Sequence, residues 1–66
     1  MEIFVNGQRR VYSNEITLLE LVQDLKIEDK VMASAVNMEI VKKESWRDFK
    51  LKDGDKVELL HFVGGG

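Results

Sequence analysis

The sequence predicts an α+β domain, a small mixed sheet with one main helix packed on one face. Three observations carry this reading. An Asn6-Gly7 dipeptide between two short strand-like runs marks an early hairpin. Thr17-Leu18-Leu19-Glu20 has the spacing of a capping box and opens a single amphipathic helix. Apolar runs with strand character return after that helix, and the last of them occupies residues 57–63. The expected order is strand, strand, helix, strand, short strand, strand. With the helix as crossover, the opening and closing strands lie side by side.

Each element has a local cause. Residues 1–6 are rich in β-branched and aromatic side chains, and alternation sets Met1, Ile3 and Val5 on one face with Phe4 on the other. Asn6-Gly7 suits a type I′ turn because both of its central residues need positive φ. Residues 8–12 form the returning strand. Arg9 and Arg10 there read as a solvated edge rather than an anion site, because charges blunt edge strands. In the helix, Leu18, Leu21, Val22 and Leu25 fall at i, i+3, i+4 and i+7 and form the core stripe, while Glu20, Gln23 and Asp24 take the other side. Residues 26–30 are a polar connection with Ile27 as a core plug.

Residues 31–37 return to strand character, with Ala33 and Ala35 small enough to lie beneath a packed helix. Met38-Glu39 is the expected turn into residues 40–42. A short turn follows, in which Trp46 is buried, since an aromatic of that size contributes most as core. Asp53-Gly54-Asp55 is a further turn signal; it lacks the additional ligands and terminal glutamate of a calcium loop.

Composition narrows the function classes. Sixty-six residues make one small domain, of a size that buries only about 60% of its unfolded surface. The formal net charge of −2 argues against a nucleic-acid partner. With no cysteine, the chain has neither disulfides nor a thiolate that could carry sulfur. No stretch has the length and apolarity of a membrane span, so no membrane partner and a cytoplasmic location are expected. One histidine, His61, and no metal-ligand cluster leave no metal site and no catalytic constellation. His61 reads as a partner-contact or strand residue.

The closing residues have two readings: a frayed terminus or expression scar, the commoner case for a glycine run taken alone, and a carboxyl terminus presented for activation. The expected division is a domain over residues 1–63 and a flexible glycine tail, Gly64-Gly65-Gly66. Without Cβ atoms such a tail is slim enough to thread a narrow channel. At its tip is an α-carboxyl that is ionised at neutral pH, its ordinary pKa being ~3.5. A carboxylate is a poor electrophile, but it can attack the α-phosphorus of ATP and become a reactive acyl-adenylate.

The element order resembles the ubiquitin-like β-grasp fold, and Met1-Glu2-Ile3-Phe4-Val5 is similar to the opening strand of ubiquitin. Several features resemble more narrowly the sulfur carrier family of thiamine biosynthesis. They are Thr17-Leu18-Leu19-Glu20-Leu21-Val22, Ala35-Val36-Asn37 followed by Ile40-Val41 and Trp46, Asp53-Gly54-Asp55, and the final Gly65-Gly66. Lys42 stands where that family often has proline, Met38-Glu39 lacks its usual turn residues, and Glu58 occupies a position often apolar.

The resemblance implies a protein cosubstrate rather than an enzyme. Gly66 would be adenylated, with ATP, by a separate E1-like enzyme. A sulfur donor such as a cysteine desulfurase relay would convert it to a thiocarboxylate, and thiazole synthase would take up the sulfur. ATP is used by the partner, and no cofactor is bound permanently. Related readings are the small subunit of molybdopterin synthase and a ubiquitin-like carrier for tRNA thiolation. A plain β-grasp interaction module is the reading of a different class. For docking, alternation in the closing strand sets Val57 and Leu59 inward. Leu60 and Phe62 are left on the open sheet face, with Phe4 of the neighbouring strand as an expected third member.

Overall fold

The computed structural model describes residues 1–61, so the tail glycines and the strand expected at Phe62 and Val63 lie outside the described residues. Strands β1 (Glu2–Val5) and β2 (Gln8–Val11) precede helix α1 (Leu18–Asp24). Then come β3 (Val31–Val36), β4 (Glu39–Val41), a 3-10 turn (Lys43–Ser45) and β5 (Lys56–His61). The strands form one mixed sheet in the order β2-β1-β5-β3-β4. β1 and β5 run parallel, and every other pairing is antiparallel.

The first hairpin turns as its sequence requires, with φ of +49° at Asn6 and +83° at Gly7. β2 is a sheet edge, and its Arg9 pairs with Glu2 across the hairpin. At the end of this strand the Tyr12 hydroxyl donates to Asp24 Oδ2 (3.0 Å) and accepts from Arg10 Nε (3.3 Å), tying the edge to the helix. Burial raises the phenol pKa; the Arg10 hydrogen bond opposes the rise and the Asp24 carboxylate adds to it.

Helix α1 is closed at both ends by hydrogen bonds. The Glu20 amide donates to Thr17 Oγ1 (3.1 Å) and the Thr17 amide donates to Glu20 Oε1 (2.8 Å), completing the capping box. At the other end Lys26 takes φ +59°, its amide donating to the Gln23 carbonyl and the Ile27 amide to the Val22 carbonyl. This is a Schellman closure with lysine at the position that usually takes glycine. It delivers Ile27 to the core, where it packs half-buried.

Leu18, Leu21 and Val22 of the helix are buried together with Ile3, Val5, Val57 and Leu59 of the sheet. Val31, Val36, Val41, Trp46 and Leu51 complete the same core among the described residues. The Trp46 indole donates to the Val41 carbonyl at 2.9 Å, so the ring buries its area without leaving its N–H unpaired.

Two local expectations are corrected. The second hairpin turns at Asn37-Met38, with φ +51° and +70°, and Glu39 already belongs to β4. Neither residue is a glycine; asparagine tolerates the left-handed region and the exposed Met38 follows it there. Ala33 and Ala35 do not lie beneath the helix. The register slips between Val31 and Ala33, two β3 residues spanning one step of β5. That bulge changes the phase of the strand. Val31, Ser34 and Val36 therefore face inward, and the alanines line the open face. The Ser34 hydroxyl is buried with no hydrogen-bond partner among the described residues.

Trp46→Phe is expected to cost roughly 1–3 kcal/mol, because it removes the indole hydrogen bond to the Val41 carbonyl and part of a fully buried ring. Urea unfolding of the variant measures this. A loss below about 0.5 kcal/mol would mean that neither the indole hydrogen bond nor the second ring contributes to the core.

Candidate functional site

The site is assembled around the end of β5. This strand occupies the centre of the sheet, between β1 and β3. Alternation sends Val57 and Leu59 into the core, at 1% and 6% exposure, and leaves Leu60 on the open face at 64%. His61 closes the strand, its backbone paired with Val31. From there the chain runs on to Gly64, Gly65 and Gly66; these and Phe62 lie outside the described residues.

Leu60 has apolar neighbours on that face. Its register partner is Ala33, and Ala35 two residues on pairs with Ile40 of β4. Ile40 is 74% exposed, and with Leu60 and the two alanines it lines a shallow depression bounded by Asn6 and Glu58. The sequence reading missed Ile40. Its signal was the alternation in β4, where Val41 is buried and Ile40 faces the other way. Knowing which face that was required the β3–β4 pairing.

Phe4 shares the open face but not this patch. It pairs with Lys56 and with Arg9, four β5 residues before Leu60. At about 3.3 Å per residue that is roughly 13 Å along the strand. Phe4 is half-buried in its own groove, lined also by Asn6, Gly7, Lys56 and Glu58. Leu60 and Phe4 are therefore two separate apolar points, with Asn6 and Glu58 between them.

Asn6 is the second residue the sequence reading undervalued, having assigned it only a turn. Its amide donates to the Val57 carbonyl (2.9 Å), and its side chain pairs with both main-chain groups of Leu59. The acidic turn is likewise structural. Asp53 Oδ1 accepts from the Glu2 amide (2.7 Å), and Asp55 Oδ2 accepts from the Lys52 amide (2.8 Å). Among the described residues no cluster of His, Asp and Glu could hold a metal ion, and no helix is long and apolar enough to cross a membrane.

A five-stranded mixed sheet with one helix across it, and a central strand leading to a glycine tail, defines a ubiquitin-like β-grasp protein. The comparisons narrow this class. The ThiS family model matches residues 3–66, and the chain belongs to that family. A sulfur carrier protein ThiS from Bacillus subtilis is 38% identical over 50 residues, 76% of each chain. The crystal structure of a thiamine biosynthesis protein (ThiS) from Geobacter metallireducens superposes with a TM-score of 0.81 at 33% identity, covering all of both chains. A thiazole synthase from Paramagnetospirillum magneticum is 36% identical over all 66 residues, and the chain spans 20% of that protein. The ThiS relative is named as a carrier, not an enzyme.

If Leu60 and Ile40 belong to the surface rather than the core, changing both to Ser should alter stability by only about 0.5 kcal/mol per site. Thermal unfolding reads this directly. A loss of several kcal/mol would reverse the assignment of the two sheet faces.

Proposed function

We propose that this chain carries sulfur on its terminal carboxylate for thiazole formation in thiamine biosynthesis. A partner enzyme of the E1-like class binds ATP and receives the tail. An oxygen of the Gly66 carboxylate attacks the α-phosphorus, and pyrophosphate leaves. The terminal sulfur of a persulfide on a donor such as a cysteine desulfurase relay then displaces AMP from the acyl carbon. A thiol on the partner side cleaves the S–S bond of that acyl disulfide, leaving the thiocarboxylate and a disulfide on the partner. The resulting thiocarboxylate passes its sulfur to thiazole synthase and returns as the carboxylate. The chain contributes no base or nucleophile of its own. ATP belongs to the partner's reaction.

What carries this reading is the match of the ThiS family model across residues 3–66, glycine tail included. The thiazole synthase relative that contains a similar segment supports thiazole synthase as a partner. The exposed Leu60 and Ile40, beside the strand that leads to Gly66, suit a surface on which such partners seat. Phe62 joins that proposed surface by alternation with Leu60, and Gly64 and Gly65 are the proposed threading segment.

Deleting Gly66, or adding one residue after it, is expected to abolish sulfur loading while the domain stays folded. The reacting carboxylate would shift by one residue length, ~3.5 Å, and adenylation depends on its position. Intact-protein mass spectrometry after incubation with activating enzyme, ATP and a sulfur source checks this. If the truncated chain still gained the mass of an oxygen-to-sulfur exchange, the tail reading would fail. The Leu60→Ser, Ile40→Ser variant should weaken association with the activating enzyme or thiazole synthase by ~1–3 kcal/mol in calorimetric titration.

A further inference from the structure

Asn6 sits where the parallel ladder between β1 and β5 runs out. The ladder advances through the Phe4 amide to the Asp55 carbonyl (2.9 Å) and the Asn6 amide to the Val57 carbonyl (2.9 Å). In an uninterrupted parallel pair the next rung would join the Leu59 amide to the main-chain carbonyl of Asn6. Here the chain turns away at Asn6, with φ +49°, to enter Gly7 and β2. The side chain supplies the rung instead. The Leu59 amide donates to Asn6 Oδ1 at 2.8 Å, and Asn6 Nδ2 donates to the Leu59 carbonyl at 3.2 Å.

Among the described residues this rung is the last on that side of β5. Beyond it Leu60 and His61 are paired only with β3, through Ala33 and Val31. The Asn6 amide group therefore sets the point at which the central strand leaves its β1 neighbour. From there seven residues, 60–66, lead to the terminal carboxylate, a reach of at most about 25 Å.

We propose that Asn6 is a positioning residue for the reaction at Gly66, a role that rests on the carrier reading above. A partner that seats on the domain and accepts the tail works with a fixed length of chain between seat and tip. Holding Leu59 to β1 fixes the second side of β5, which β3 alone otherwise holds, and so sets the direction in which that length leaves the sheet. Releasing that rung leaves the end of β5 held by β3 alone, at Leu60 and His61, and loosens the direction from which the carboxylate is offered, which lowers its effective concentration at the nucleotide. The loss falls on turnover, because the apolar residues of the seating surface, Leu60 and Ile40, are unchanged and only its rim at Asn6 is altered.

Asn6→Gly isolates the effect. Gly-Gly also satisfies a type I′ turn, so the hairpin is kept while both side-chain bonds to Leu59 are lost. Pyrophosphate release is measured with the activating enzyme and ATP over a range of carrier concentrations, and amide hydrogen exchange at Leu59 is followed by NMR. The expected result is faster Leu59 exchange and a fall in kcat of about five- to tenfold, with KM for the carrier unchanged within about twofold. Trp46→Phe serves as a destabilised control and should keep the wild-type kcat. An unchanged kcat in Asn6→Gly would overturn the proposal, leaving Asn6 a turn residue. A raised KM with unchanged kcat would also overturn it, making Asn6 a docking contact, as would an equal loss of kcat in the control. If Asn6→Gly does not fold, Asn6→Asp carries the test. It keeps the acceptor for the Leu59 amide but cannot donate to the carbonyl, so a reduced kcat supports the role and a wild-type kcat overturns it. Failure of the wild-type chain to release pyrophosphate would instead overturn the carrier reading.

Discussion

The pairing of β5 between β1 and β3 is the constraint on which the rest of the structure depends. Parallel neighbours cannot be joined by a tight turn, so β1 and β5 require a long crossover. Helix α1, β3 and β4 fill that crossover, and the helix covers the face that the crossover creates. Both hairpins then help to hold β5. Asn6 closes its β1 side at Leu59, as described. Asn37, in the turn after β3, accepts from the Lys56 amide through Oδ1 (3.0 Å), while its own amide donates to the Lys56 carbonyl (2.8 Å). Two asparagines in left-handed turns thus anchor the beginning and the end of one central strand. Asparagine serves both needs because it tolerates positive φ and carries a donor and an acceptor in one side chain.

From that central placement the two faces acquire their separate uses. The inner residues of β5 meet Ile3 and Val5 and the helix stripe, so Val57 and Leu59 stabilise the fold. The outer residues have no helix above them. Leu60 and Ile40 stay exposed there, next to the segment that leads to the glycines. An exposed apolar patch of this kind costs little while the protein is free and supplies area when a partner covers it. Phe4, about 13 Å away along the sheet, belongs to a separate groove.

A domain of this kind holds no catalytic geometry, and a carrier of the ThiS family needs none. In the proposed reaction the chemistry takes place on the main-chain carboxylate, with the nucleotide and the sulfur supplied by partners. What the fold contributes is presentation: a rigid strand end, a recognisable face, and a terminus free of side chains. The absence of cysteine in the sequence is consistent with a design in which sulfur is carried only at the tip.

The sequence by itself determined the features that arise from contacts close along the chain. The Asn6-Gly7 turn, the capping box at Thr17 and Glu20, the helix stripe and the inward alternation of Val57 and Leu59 follow from local dihedral preference and periodicity. The glycine run at residues 64–66 is read from composition alone, and its proposed use rests on the family match. Tertiary structure decided what depends on pairing between distant strands. The bulge between Val31 and Ala33 reversed the facing of the alanines, and no residue in that run announces it. Ile40 joined Leu60 only because β3 bridges β4 to β5. Asn6 met Leu59 across 53 residues of sequence, where a turn propensity and a strand pattern, each readable alone, give no sign that one side chain completes the ladder of the other.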